Sequence, residues 1–189
     1  MKLLEEKILK EGKVIDNKII KVDNFVNHLI DTKIINAFAE EVKKYYSDQK
    51  VDKILTVEAS GIAIACAVAE AFDGLPFVFA RKNKSAIIDD NVYKVEVKSF
   101  TQNRVSTITV AKPFLKKGEN ILIVDDFLAE GNAAIGLIEM CEQAGANVVG
   151  VAVVIEKEFQ GGKKRISEKG VKVFAGASIK EFKDNKPVF

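Results

Sequence analysis

The amino-acid sequence predicts an α/β fold built on a doubly wound, mainly parallel sheet, and three observations lead there. Strand-like and helix-like patterns alternate, with two clear strand–helix–strand units at 53–80 and 120–156. The strands of these units, such as ILIV at 121–124 and VVGVAVVI at 148–155, are nearly continuous aliphatic runs, as expected of strands covered by helices on both faces. Between the units, segments 93–100 and 104–110 alternate with period two around Thr101-Gln102-Asn103, which adds an antiparallel hairpin.

Each element follows from its local pattern. Residues 2–11 place apolar side chains at helical spacing and stop at Gly12, and 32–47 do the same with Ile34, Ile35, Phe38, Val42, Tyr45 and Tyr46. KILTVE (53–58) reads as a strand, IAIACAVAEAF (62–72) as an alanine-rich helix, and LPFVFA (75–80) as a strand ending at Ala80, with Phe77 and Phe79 on one core-facing side. NILIVD (120–125) is the next strand after the hairpin, followed by a helix from 132 to 144 and the strand NVVGVAVVIE (147–156). No low-complexity tract, Pro/Gly/Ser linker or short-period repeat divides the chain, so a single domain over 1–189 is expected, with terminal pieces folded over the core.

Bulk composition narrows the function. With 189 residues, 48% of them hydrophobic, the chain can bury a core without covalent staples. Lys and Arg number 29 against 27 Asp and Glu, a balance that does not point to nucleic acid as a partner. Cys66 and Cys141 lie in separate helical patterns without metal-ligand spacing and are expected to be buried free thiols. The N-terminus, MKLLEEKILKEG, carries acids throughout, unlike a signal peptide, and no apolar run approaches the roughly 20 residues of a membrane span. A cytoplasmic protein with no membrane partner is expected.

In a doubly wound sheet ligands gather beyond the carboxyl ends of the strands. The segment DDFLAEGNAA (125–134) follows a buried strand there: Gly131 lets backbone amides turn toward a ligand, and the helix starting near Asn132 offers unpaired N–H groups and partial positive charge to a phosphate. Asp125 and Asp126, just upstream, suit the hydroxyls of a sugar, with a divalent cation nearby. One such acid is readily explained as a helix cap or an ion-pair partner; two in succession after a buried strand favour a site. EASG (58–61) repeats the arrangement and offers Ser60 and Gly61 to a second anion, although Ser-Gly before a helix is also ordinary capping. ARKNKS (80–85) brings three cations to the same edge. As a solvated turn it would be unremarked, but Arg81 can grip two phosphate oxygens while Lys82 and Lys84 act as point charges.

These residues carry a resemblance. ILIVDDFLAEG resembles the phosphoribosyl pyrophosphate (PRPP) signature of the type I phosphoribosyltransferases, and KVDNFVNHLID, VEASGIA, VFARKNKS and VIEKEFQ, in this order and spacing, resemble the xanthine branch of that family in bacterial purine salvage. The resemblance spans essentially the whole chain. It implies the type I phosphoribosyltransferase fold, with a small base-binding hood from about residues 1–31 and the residues after about 157. It implies transfer of phosphoribose from PRPP to xanthine, giving xanthosine 5′-monophosphate and pyrophosphate, usually with Mg2+, in a homodimer. Position by position, it implies that Asp125 and Asp126 hold ribose hydroxyls and that Ala129, Glu130, Gly131, Asn132 and Ala133 wrap the 5′-phosphate. Glu58, Ala59, Ser60 and Gly61 would form the pyrophosphate loop, which Arg81 and Lys82 also face. Ile20, Asn27 and Lys157 would recognise the purine, and Phe159 would stack on it.

Many family members end the signature with Thr-Gly, where this chain has Ala129-Glu130-Gly131; a carboxylate there requires that only the Glu130 amide point inward. The chemistry needs no nucleophilic side chain, because positioning and electrostatics stabilise an oxocarbenium-like sugar and the departing pyrophosphate. His28, the single histidine, is accordingly read as a packing or locally bonded residue, and Phe25 as a lid or dimer contact. Rival readings are a phosphoribosyltransferase preferring guanine, hypoxanthine or adenine, and a non-catalytic PRPP-sensing regulator, for which 189 residues leave no separate DNA-binding module. A Rossmann-type nucleotide binder fails for want of GxGxxG after any strand.

Overall fold

The computed structural model describes residues 1–83, 91–99 and 104–189; Lys84 and Thr101-Gln102-Asn103 lie outside them. Helix α1 (Lys2–Glu11) leads into a hairpin, β1 (Lys13–Ile15) and β2 (Ile19–Lys21), and a π-helical turn (Asp23–Asn27). There follow α2 (Thr32–Tyr45), β3 (Lys53–Val57), α3 (Gly61–Ala71), β4 (Phe77–Asn83), the hairpin β5 (Val92–Ser99) and β6 (Arg104–Ala111), β7 (Asn120–Leu128), α4 (Asn132–Ala144) and β8 (Asn147–Lys157). The chain closes with α5 (Gly162–Ser167), β9 (Val173–Ile179) and a hairpin of β10 (Glu181–Lys183) and β11 (Lys186–Val188).

Seven strands form one sheet in the order β5-β6-β4-β3-β7-β8-β9. Strands β4, β3, β7, β8 and β9 are parallel, and β5 and β6 add the antiparallel hairpin at one edge. One core, with Leu4, Ile8, Phe38, Val42, Ile64 and Val68, lies under α1, α2 and α3; the other, with Leu137, Met140 and Ile166, lies under α4 and α5. Burial on both faces is what the unbroken aliphatic runs of β3, β7 and β8 require. The winding β3–α3–β4 runs toward one edge and β7–α4–β8 toward the other, so the direction of the sheet reverses between β3 and β7. The carboxyl ends of these two strands flank the crevice where such sheets take ligands.

Two strands run further than local pattern indicates. β4 continues past Ala80 to Asn83 because the returning β6 pairs with it, Arg81 opposite Thr109 and Lys82 opposite Ile108. β7 continues past Asp125 to Leu128 because β8 is long enough to pair with it up to Leu128 opposite Glu156. Strand β9 joins the sheet from a region that local reading assigned to terminal covering.

Two further expectations are corrected. Phe25 is fully buried in the α1–α2 core with the Lys7 ammonium 5.9 Å from its ring centroid, so it is core rather than lid. Cys66 is exposed on α3, while Cys141 is buried and its thiol pushed up to about 12 by desolvation. The terminal hairpins are clasped at their tips. Asp184-Asn185, the two-residue loop of the β10–β11 hairpin, and Asp16-Asn17, in the three-residue loop between β1 and β2, all take positive φ, as tight hairpin turns demand. The Asn17 amide N–H donates to Asn185 Oδ1 at 3.0 Å, and the Asn185 N–H donates to Asn17 Oδ1 at 2.7 Å. The triplet Asp-Asn-Lys occurs at both tips, 16–18 and 184–186.

Candidate active site

The acid pair lies within β7, at a place where strand alternation breaks. Val124 and Phe127 pack on the same core although they are three residues apart, and on β8 the neighbours Val154 and Ile155 share it too. Strict alternation would separate each pair. At this change of phase the amide N–H of Asp126 donates to Asp125 Oδ1 and that of Phe127 to Asp126 Oδ1, both at 2.9 Å. The carboxylates thus fix the backbone as well as face the crevice. Asp125 is 6% exposed, and burial, reinforced by the adjacent charge of Asp126, holds its carboxyl well above the usual carboxylate range.

Around Asp125 the structure gathers Gly61 and Lys82. A Cβ on Gly61 would stand 3.3 Å from Asp125 Oδ1 and would overlap Thr56 Oγ1, so only glycine brings the start of α3 this close to the acids. The Thr56 hydroxyl is buried with no hydrogen-bond partner among the described residues, and nothing in its sequence context marked it. Among the described residues, neither the start of α3 after Glu58-Ala59-Ser60 nor the start of α4 after Gly131, which has φ 82°, has a side-chain cap from its N-cap residue. Two sets of helix-terminal amides therefore flank the acids, as required for two anionic groups at either end of a sugar. Glu58 itself turns to the sheet, its carboxylate accepting the Lys82 N–H at 2.6 Å.

Arg81 and Lys82 part company. Consecutive strand residues point to opposite faces, and it is the charge of Lys82 that acts on Asp125. Arg81 lies 5.9 Å from the Phe79 ring centroid and lines a cavity of about 660 Å³ with Phe77, Phe79, Thr109 and Phe114. Phe77 and Phe79 share a side as expected, but both are only partly buried and border this cavity.

The 129–133 segment is held by residues that sequence reading passed over. The Arg165 guanidinium on α5 donates to the Glu130 carbonyl and, at 2.8 Å, to Asn132 Oδ1. The Gly162 N–H donates to the Ala129 carbonyl at 3.0 Å. The Glu130 carboxylate accepts from Asn132 Nδ2 at 3.1 Å, which occupies it within the loop. Ala133 is the second residue of α4.

On the opposite side, Ile20 is buried in the core, so its main chain rather than its side chain is what it can offer a ligand. Asn27 ends the π-helical turn, and its Oδ1 is buried without a hydrogen-bond partner among the described residues. Lys157, at the end of β8, stands 5.6 Å from the Phe127 ring centroid, and burial lowers the pKa of its ammonium. Phe159 is 48% exposed and meets Phe182 of the C-terminal hairpin edge-on, centroids 5.4 Å apart. Glu156 beside Lys157 is 1% exposed, accepts the Ser178 hydroxyl at 2.6 Å and pairs with Lys163 at 3.6 Å. His28 is exposed. No helix is long and apolar enough to cross a membrane among the described residues.

A parallel sheet with helix starts on both sides of its switch point and a buried acid pair between them is an arrangement suited to an anionic, hydroxyl-bearing ligand, and the chain belongs to the phosphoribosyltransferase family: the phosphoribosyl transferase domain matches residues 21–184. A protein of Clostridium tetani named xanthine phosphoribosyltransferase is 50% identical over 189 residues, all of both chains. One of the same name from Clostridioides difficile is 55% identical over 162 residues, 86% of this chain and 85% of that one. Among solved structures, the adenine phosphoribosyltransferase of Giardia lamblia, complexed with 9-deazaadenine, shares the fold with a TM-score of 0.76 at 24% identity, covering 89% of this chain and 94% of that one.

Proposed function

We propose that this chain is a xanthine phosphoribosyltransferase of purine salvage, acting in the cytoplasm as a homodimer. A ring nitrogen of xanthine forms a bond to the anomeric carbon of PRPP as the bond to pyrophosphate breaks, and the nitrogen's proton passes to solvent. The observation that carries the chemistry is the buried acid pair set between two uncapped helix starts. Full-length relatives of that name support the choice of base.

In this reading Asp125 and Asp126 hold the ribose hydroxyls and oppose the positive charge that grows on the sugar. Residues 129–133 receive the 5′-phosphate, while Glu58, Ala59, Ser60, Gly61 and Lys82 receive pyrophosphate. The Ile20 main chain, the unpartnered Asn27 Oδ1 and Lys157 read the purine edge, and the exposed side of Phe159 stacks on it. The terminal hairpins, joined to Phe159 through Phe182, form the hood of a single domain. Lys157 favours an oxygen-rich base, since the amino group of adenine would face a donor.

Among the described residues no group of three His, Cys, Asp or Glu converges to cage a metal. The carboxylate oxygens of Asp125 and Asp126 suit Mg2+ arriving on PRPP, since this ion keeps waters and substrate phosphates as ligands. When bound it would neutralise the leaving pyrophosphate. Arg81 fits best as a pyrophosphate ligand for a second copy, because it points away from Lys82 beside a partly apolar cavity suited to a dimer contact.

Purified protein incubated with PRPP, Mg2+ and, separately, xanthine, guanine, hypoxanthine and adenine is expected to form xanthosine 5′-monophosphate and pyrophosphate most efficiently. Preference for another base would overturn the purine assignment, and turnover with none would overturn the enzymatic reading.

A further inference from the structure

We propose that Arg165 is a positioning residue for the 129–133 loop, setting that loop in the shape that receives the 5′-phosphate. The proposal rests on reading this loop as the phosphate site. Five contacts lead to it. The Arg165 guanidinium bridges two points of the loop, the Glu130 carbonyl and Asn132 Oδ1. The Gly162 N–H, one turn earlier on α5, donates to the Ala129 carbonyl. Gly131 and Gly162 touch through their backbones, since a Cβ on Gly131 would lie 3.2 Å from the Gly162 Cα. Lys163 in turn ties α5 to the buried Glu156 at the end of β8.

A loop that binds phosphate with main-chain amides depends on backbone shape, and this one contains a glycine at φ 82° and a glutamate whose charge opposes the ligand. Arg165 answers both needs. Bonding to a carbonyl and to a side-chain oxygen on either side of Gly131 fixes the turn, and the guanidinium offsets the Glu130 charge that Asn132 Nδ2 holds close by. A rigid fork with several donors can span two acceptors in this way; lysine offers a point charge on a flexible stem. Arg165 is exposed, so its replacement removes these bonds without opening the core. Helix α5 itself starts at Gly162, two residues after the 157–160 segment that carries Lys157 and Phe159, so it joins the two halves of the site.

The test is steady-state kinetics of Arg165→Ala and Arg165→Lys with both substrates varied, beside Gly131→Ala as a control on the loop itself and thermal melts of all three. For Arg165→Ala the KM for PRPP is expected to rise about tenfold with kcat and the KM for xanthine within about twofold, the pattern of lost binding at one substrate alone. Arg165→Lys is expected to recover part of the loss. A PRPP KM within about twofold of wild type in Arg165→Ala, while Gly131→Ala raises it, overturns the role of Arg165 and leaves the phosphate loop standing. An unchanged PRPP KM in Gly131→Ala overturns the phosphate-loop reading, and the proposal with it. Equal loss in kcat and in both KM values would make Arg165 a general support of the fold rather than of the loop.

Discussion

Replacing Gly162 by alanine places one methyl group against the backbone of the 129–131 segment. The new Cβ would stand 2.8 Å from the Gly131 nitrogen and 3.0 Å from the Glu130 carbonyl carbon, and nearer still to the Ala129 carbonyl oxygen. Real Cβ contacts essentially never fall below 3.0 Å, and the crowding atoms are all main chain, so no side chain can swing aside to make room. The loop or α5 must retreat by at least a few tenths of an ångström, stretching the 3.0 Å bond from the Gly162 N–H to Ala129. Misplacement of a reacting group by about 1 Å costs on the order of 100-fold, so half that displacement predicts about tenfold in kcat/KM for PRPP. Overpacking at one site costs about 1–3 kcal/mol of stability, which a chain of this size registers as roughly 2–12 °C in Tm. Initial rates with PRPP varied at saturating xanthine, together with a thermal melt, measure both. A variant that melts lower yet keeps its kcat/KM for PRPP within about twofold would refute the link between the loop and the phosphate.

Further expectations follow from the same geometry. Asp125→Asn combined with Asp126→Asn should lower turnover by at least about 100-fold while the circular dichroism of the fold persists; wild-type turnover would remove the pair from the ribose site. Asp125 also sets a pH dependence. Its folded carboxyl holds a proton more tightly than the unfolded chain does, so folding takes up a proton above the ordinary carboxylate value and stability falls as pH rises through the raised one. Denaturant melts of Asp125→Asn should therefore gain on wild type at about pH 7 relative to about pH 4, and an equal difference at both would refute the shift. Lys157→Ala should raise the KM for xanthine about 10- to 100-fold and spare that for PRPP, a loss equivalent to about 1.5–3 kcal/mol. Arg81→Ala mixed with the double aspartate variant should regain activity through hybrid dimers if Arg81 serves the neighbouring site; no recovery despite dimers by light scattering would place it elsewhere. Asn17→Gly with Asn185→Gly keeps the positive φ of both tips while deleting the clasp, and should raise the KM for xanthine before that for PRPP; unchanged values would detach the hairpins from base binding.

Sequence by itself determined the layered sheet, because each buried strand and each amphipathic helix reports its environment through a local period: ILIV at 121–124 needs cover on both faces wherever it lies. The same locality made the acid pair and the Glu58–Gly61 and Ala129–Ala133 segments visible as contiguous motifs. What tertiary structure alone decided depends on residues far apart in the chain. Pairing with β6 turned Arg81-Lys82 from a loop into a strand and sent their charges to opposite faces; pairing with β8 carried β7 past its acids. Arg165 and Gly162 reach the Glu130–Asn132 loop across about thirty intervening residues, and Asn17 meets Asn185 from the other end of the chain. No local period encodes such meetings, because a hydrogen bond between distant residues leaves no trace in the neighbours of either partner, whereas burial marks every residue along a strand.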